Sequence, residues 1–117
     1  MLMNTNKRRY NESTYHLDII KFYQSIAWRN KRIRILKRDN YMCQECKRYG
    51  RTREAQVVHH VFPLRDYPKY RLLNNNLYSC CNACHNRFHN RDNDELTSEG
   101  LNLLERLREK IVNPPCS

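Results

Sequence analysis

From Ile19 to Asp39 the chain has neither Gly nor Pro, and Phe22, Ile26, Ile33 and Leu36 recur at spacings of four, seven and three. These spacings place the four on one helical face, with the basic residues largely elsewhere. A helix is predicted there, broken near Trp28–Asn30. The stretch "RDNYMCQECKRYG" then turns into a knuckle, with Gly50 at a left-handed position. "AQVVHHVFPL" is β-branched and apolar and stops at Pro63, the signature of a strand. After the loop "RDYPKYRLLNNN", "NNLYSC" reads as a short returning strand, and a helix should start near Ala83. In "LTSEGLNLLERLREKI", Leu101, Leu104, Leu107 and Ile111 define an amphipathic helix ended by Pro114 and Pro115. The predicted order is helix, knuckle, hairpin, helix, helix. A flexible arm (1–18) precedes it and a tail (113–117) follows.

A chain of 117 residues, 39% hydrophobic and 29% charged, builds one domain with a small core. Such a core calls for a staple, and six cysteines offer either disulfides or a metal. The opening "MLMNTNKRRY" lacks the apolar segment of a signal peptide, and no stretch approaches a membrane span. The expected location is therefore the cytoplasm, where thiols stay reduced and clustered cysteines signify metal.

Net charge is +10, and Arg29 to Arg53 carries ten basic residues against Asp39 and Glu45. A stripe containing Arg29, Lys31, Arg32, Arg34, Lys37 and Arg38 fits a polyanion binder, since cations near phosphates release condensed counterions. A solvated helix face is the competing reading.

Cys43-x-x-Cys46 and Cys81-x-x-Cys84 are two knuckle pairs with 34 residues between them, enough for a hairpin. Four thiolates close a tetrahedral structural zinc site with no open position. Cys80-x3-Cys84 is also chelatable, but Cys81 keeps the spacing of the first pair and is assigned. Cys116, in the tail, is expected to be a free thiol. The histidines then stand out. His59 and His60 are adjacent on a strand, where neighbouring side chains point to opposite faces. His85 follows Cys84 directly, and His89 lies one helical turn on.

The order C-x2-C, "VVHHV", "NNNLYSC", C-x2-C-H resembles the HNH nuclease family, the ββα-metal fold. It looks most like small phage-encoded members, which share an upstream segment similar to "FYQSIAWRNKRIRILKRDNYMCQECK". The resemblance runs from about Phe22 to Asn90. It implies an α+β fold in which a ββα-metal core (about 40–93) joins a four-cysteine zinc knuckle pair and flanking helices. The nuclease domain would span 19–112, with its C-terminal helix at about 98–112. Position by position, it implies that His60 is the general base, His59 and His85 are ligands of a catalytic divalent ion, and Asn76 braces the loop bearing the base. His89 matches a last histidine that acts as a third ligand or a phosphate contact.

Many members carry Asp where this chain has His59. An imidazole there makes the site softer and favours Mn2+, Co2+ or Ni2+ over Mg2+. The implied reaction is metal-dependent hydrolysis of phosphodiester bonds in double-stranded DNA by a base titrating near neutrality, leaving 5′-phosphate and 3′-hydroxyl ends. The implied setting is the bacterial host cell, in phage genome processing beside terminase subunits. A non-catalytic zinc-stabilised DNA-binding module and an RNA-directed nuclease are the alternative readings.

Overall fold

The computed structural model describes residues 12–114, with side chains from Leu17 onward. Residues 1–11 of the expected arm and Cys116 lie outside the described residues. Helix α1 (Glu12–Gln24) is followed by α2 (Ile26–Arg38), α3 (Gln44–Arg48), strand β1 (Val57–His60), strand β2 (Leu77–Cys80), α4 (Asn82–Phe88) and α5 (Ser98–Val112). Two 3-10 turns, Pro68–Tyr70 and Asn74–Asn76, shape the loop between the strands.

The first helical segment differs from its expectation in three ways. It begins at Glu12, so residues 12–18 are helical. It breaks at Ser25, ahead of Trp28–Asn30, where Ser25 Oγ accepts from the Trp28 amide at 3.1 Å and caps α2. Its buried residues are Trp28, Ile35 and Leu36, while Ile26 is 71% and Ile33 40% exposed. The break resets the rotation of α2, so a face counted straight through it points the wrong way. In α5 the buried positions are Gly100, Leu103, Leu104 and Ile111, with Leu107 partly buried, and Leu101 is exposed. Gly100 lets α5 press close to the end of α4: a Cβ there would overlap the Phe88 carbonyl oxygen. Gly50 takes the expected left-handed conformation, at φ 78°.

The two-stranded antiparallel hairpin pairs Val57 with Cys80, Val58 with Ser79, His59 with Tyr78 and His60 with Leu77. Alternation divides the core. Val58 and Leu77 pack with Trp28, Ile35, Leu36 and Ala55 beneath α2. The opposite face joins Cys80, Val61 and Phe62 to the four knuckle cysteines, Phe88 and the buried side of α5. Largely buried Glu45 accepts from Tyr78 Oη at 2.8 Å and from Arg106 at 3.0 Å, tying α3, β2 and α5 together. None of the described helices is long and apolar enough to cross a membrane.

Candidate active site and metal centres

Cys43 and Cys81 occupy the N-cap positions of α3 and α4, which brings Cys46 and Cys84 onto the first turn of each short helix. The four sulfurs converge, all buried, with Cys46 Sγ 3.9 Å from Cys81 Sγ and 3.8 Å from Cys84 Sγ. A tetrahedral ion with metal–sulfur bonds of about 2.3 Å requires sulfurs about 3.8 Å apart, so the donor set fits. Arg87 donates to Cys84 Sγ at 3.2 Å, which sets a positive charge beside the cluster. Cys80 is buried but stands outside the group, and burial pushes its thiol pKa up, keeping it protonated.

Three histidines form the second centre. His59 comes from β1, His85 from α4, and His89 caps the C-terminus of α4 with an extended backbone that returns its ring to the cluster. One ring nitrogen of each lies within 4.8 Å of the others. His89 Nε2 and His59 Nδ1 are 3.3 Å apart, close to the edge of a tetrahedron with metal–nitrogen bonds of about 2.0–2.1 Å. His59 is 1% exposed, and burial, followed by the charges of His85, His89 and His60, lowers its pKa well below the usual value. Burial and the neighbouring His89 lower His85 as well. His59 Nε2 and His89 Nδ1 are buried without a hydrogen-bond partner. Imidazole nitrogens that converge this closely form a donor set suited to a cation. Beside them opens a cavity of about 180 Å3 lined by His85, Asn86, His89, Asn90, Arg91 and Asp94.

His60 leaves β1 on the other face. Its ring stacks on Trp28, with centroids 4.9 Å apart, and Phe22 and Tyr23 flank it. Its Nε2 lies 3.0 Å from the Arg71 carbonyl oxygen, which can only accept, so Nε2 bears the proton and Nδ1 the lone pair. The Tyr23 hydroxyl reaches that Nδ1 at 3.4 Å. Burial brings the His60 pKa down to about 4, with the Arg71 carbonyl opposing and the charges of His85 and His89 adding to the fall. A base titrating near neutrality is therefore not what the fold builds: His60 is neutral throughout the physiological range.

Asn76 is fully buried and spans the loop between the strands. Its Oδ1 accepts from the Phe62 amide at 2.7 Å, while Nδ2 donates to the carbonyls of Phe62 at 3.3 Å and Tyr70 at 3.2 Å. This holds both ends of the loop that carries the Arg71 carbonyl.

The basic stripe divides. Arg38 donates to the carbonyls of Asn74 and Leu77 and to the Asp39 carboxylate, Arg32 to the Gln56 carbonyl, and Lys31 to Asn74 Oδ1. Arg29, Arg34 and Lys37 form no side-chain hydrogen bond or ion pair among the described residues. Asp94, Tyr23, Trp28 and the Arg71 carbonyl have no signature in the sequence pattern. An acidic loop residue, two helical aromatics and a backbone oxygen gain meaning only from position.

The HNH endonuclease family profile matches residues 43–91, the segment that contains both centres. The crystal structure of the HNH endonuclease of the deep-sea thermophilic bacteriophage GVE2, with a manganese ion, superposes at a TM-score of 0.64 with 37% identity. The match covers 68% of this chain and 86% of that one. This chain belongs to the HNH endonuclease family. No curated protein matches it in sequence. Its small α+β architecture is the ββα-metal fold of that family, with β1, β2 and α4 as the ββα unit.

Proposed function

We propose that this protein is a metal-dependent DNA endonuclease that hydrolyses phosphodiester bonds with His60 as general base. The observation that carries the reading is the convergence of His59, His85 and His89 on one side of β1, with His60, the next residue on the same strand, held in one orientation by the Arg71 carbonyl. Cys43, Cys46, Cys81 and Cys84 would hold a structural zinc, for which their sulfur spacing suits. The three imidazoles would hold a catalytic divalent cation, so His89 is a third ligand. Bound there, the cation would supply Lewis-acid stabilisation of the charge that builds on the phosphate oxygens.

The chain's own residues do the rest. The Arg71 carbonyl fixes the His60 tautomer, and Asn76 holds the loop that bears it. His60 Nδ1 takes a proton from water as its oxygen attacks phosphorus in line. The phosphorus–3′-oxygen bond breaks, leaving a 5′-phosphate and, after protonation from solvent, a 3′-hydroxyl. Arg29, Arg34 and Lys37, without partners among the described residues, are the members of the stripe best placed to meet the DNA backbone. Such contacts position the duplex without reading its sequence.

The phage origin of the solved relative supports a phage setting within a host cell; genome processing with terminase subunits as the partner class is the role that the family resemblance suggests. The decisive test uses supercoiled plasmid and duplex RNA of matched sequence with Mn2+, Co2+, Ni2+ and Mg2+. Conversion of plasmid to nicked or linear forms with Mn2+, Co2+ or Ni2+ ahead of Mg2+ is expected, because imidazole ligands are softer than carboxylates. No cleavage with any metal would leave a DNA-binding module, and faster cleavage of RNA would move the substrate class.

A further inference from the structure

The exposed loop between α4 and α5 carries a residue aimed at the histidine cluster. We infer that Asp94 is a positioning residue for the catalytic metal site: its carboxylate accepts the Nδ1 proton of His89 and so keeps Nε2 as the ligand atom. The inference rests on the proposed metal site.

His89 presents its two nitrogens to different surroundings. Nε2 faces His59 Nδ1 at 3.3 Å, inside the cluster. Nδ1 points away, is buried, and has no hydrogen-bond partner. A buried imidazole N–H without an acceptor is costly, and Asp94 Oδ1 stands 3.7 Å from it, within ion-pair reach. Ligating imidazoles characteristically donate their second N–H to a carboxylate or carbonyl, which fixes tautomer and ring orientation together.

Backbone hydrogen bonds fix the loop and so place Asp94 beside His89, with its carboxylate 84% exposed. His89 bridges to Leu96, the Asn90 amide donates to the Glu95 carbonyl at 2.7 Å, and the Asp94 amide donates to the Asn90 carbonyl at 2.8 Å. The Asn90 and Asn93 side chains accept from the amides of Asp92 and Glu95. Asp94 itself sits at φ 59°, a left-handed conformation that Asp tolerates better than most residues. It lines the same cavity as His85 and His89. It is not one of the converging ligands, so its action passes through His89.

The test measures Mn2+ affinity by calorimetry on the full, zinc-replete chain, together with the His89 tautomer by nitrogen-15 NMR without added Mn2+. Asp94→Gly keeps the left-handed backbone and removes the carboxylate. It should weaken Mn2+ binding about tenfold and mix the His89 tautomers, with zinc content and thermal midpoint unchanged. Asp94→Asn retains an accepting oxygen and should hold most of the native affinity. If Asp94→Gly binds Mn2+ like the native protein while His59→Ala does not, the role of Asp94 is overturned and the metal site stands. If Asp94→Asn falls as far as Asp94→Gly, charge rather than the hydrogen bond is responsible, and positioning is overturned. If the native protein takes up no Mn2+ at its histidines, the site reading itself falls.

Discussion

His59 and His60 are neighbours on β1, yet their rings stand on opposite faces of the hairpin: His59 against Phe88 with centroids 4.9 Å apart, His60 against Trp28 at the same distance. Strand alternation separates the two imidazoles into different surroundings. His60→Ala should keep Mn2+ binding and lose roughly two or more orders of magnitude in cleavage rate, the scale of a lost general base. His59→Ala should lose Mn2+ affinity instead, and excess metal should partly restore its rate. Rates across metal concentrations, with DNA affinity measured without turnover, distinguish the pair; metal rescue of His60→Ala alone would reverse the roles.

Acid should destabilise the fold through His60. Its pKa falls from 6.5 unfolded to about 4 in the folded protein, so folding favours the neutral ring. That contribution is fully present above about pH 6.5, is lost progressively as pH falls towards 4, and amounts to about 3 kcal/mol across the window. His59 and His85, also depressed, act in the same sense. Denaturant midpoints at pH 7 and pH 4.5 should therefore differ less for His60→Gln than for the native protein. An equal loss in both would remove His60 from the balance.

The basic stripe should split by function. Arg38→Ala breaks hydrogen bonds to the Asn74 and Leu77 carbonyls and should cost about 2 kcal/mol of stability, read as a shift in denaturant midpoint. The triple variant Arg29→Ala, Arg34→Ala, Lys37→Ala should leave stability nearly unchanged. It should flatten the slope of log affinity for duplex DNA against log salt by up to about 0.9 per residue. A native slope in the triple variant would make those charges solvated surface.

Cys84→Ser removes one of four converging thiolates and should unfold the domain, because a structural metal contributes folding free energy directly. Cys80→Ser, outside the group, should retain one zinc per chain by elemental analysis. A folded, active native preparation without bound zinc would contradict the structural role.

The sequence alone determined the residue groupings held in short spacings. Two C-x2-C knuckles, a β-branched run with paired histidines, and His85 next to Cys84 constrain geometry through a few bonds, whatever surrounds them. The hairpin and the assignment of Cys81 over Cys80 were legible for that reason. Tertiary structure decided whatever depends on rotation and distant partners. Ser25 interrupts the first helical segment, so Ile26 and Ile33 turn outward and Trp28 inward, and periodicity carries no information about such a break. Arg38 looks like any phosphate-seeking arginine until its neighbours are backbone carbonyls of β2 and the preceding turn. The ring of His89 joins His59 because the backbone leaves the helix there, and the pKa of His60 falls because Trp28, Phe22 and Tyr23 enclose it. Burial and hydrogen-bond partners belong to the folded chain, and they, not residue type, set which nitrogen of each histidine is free to act.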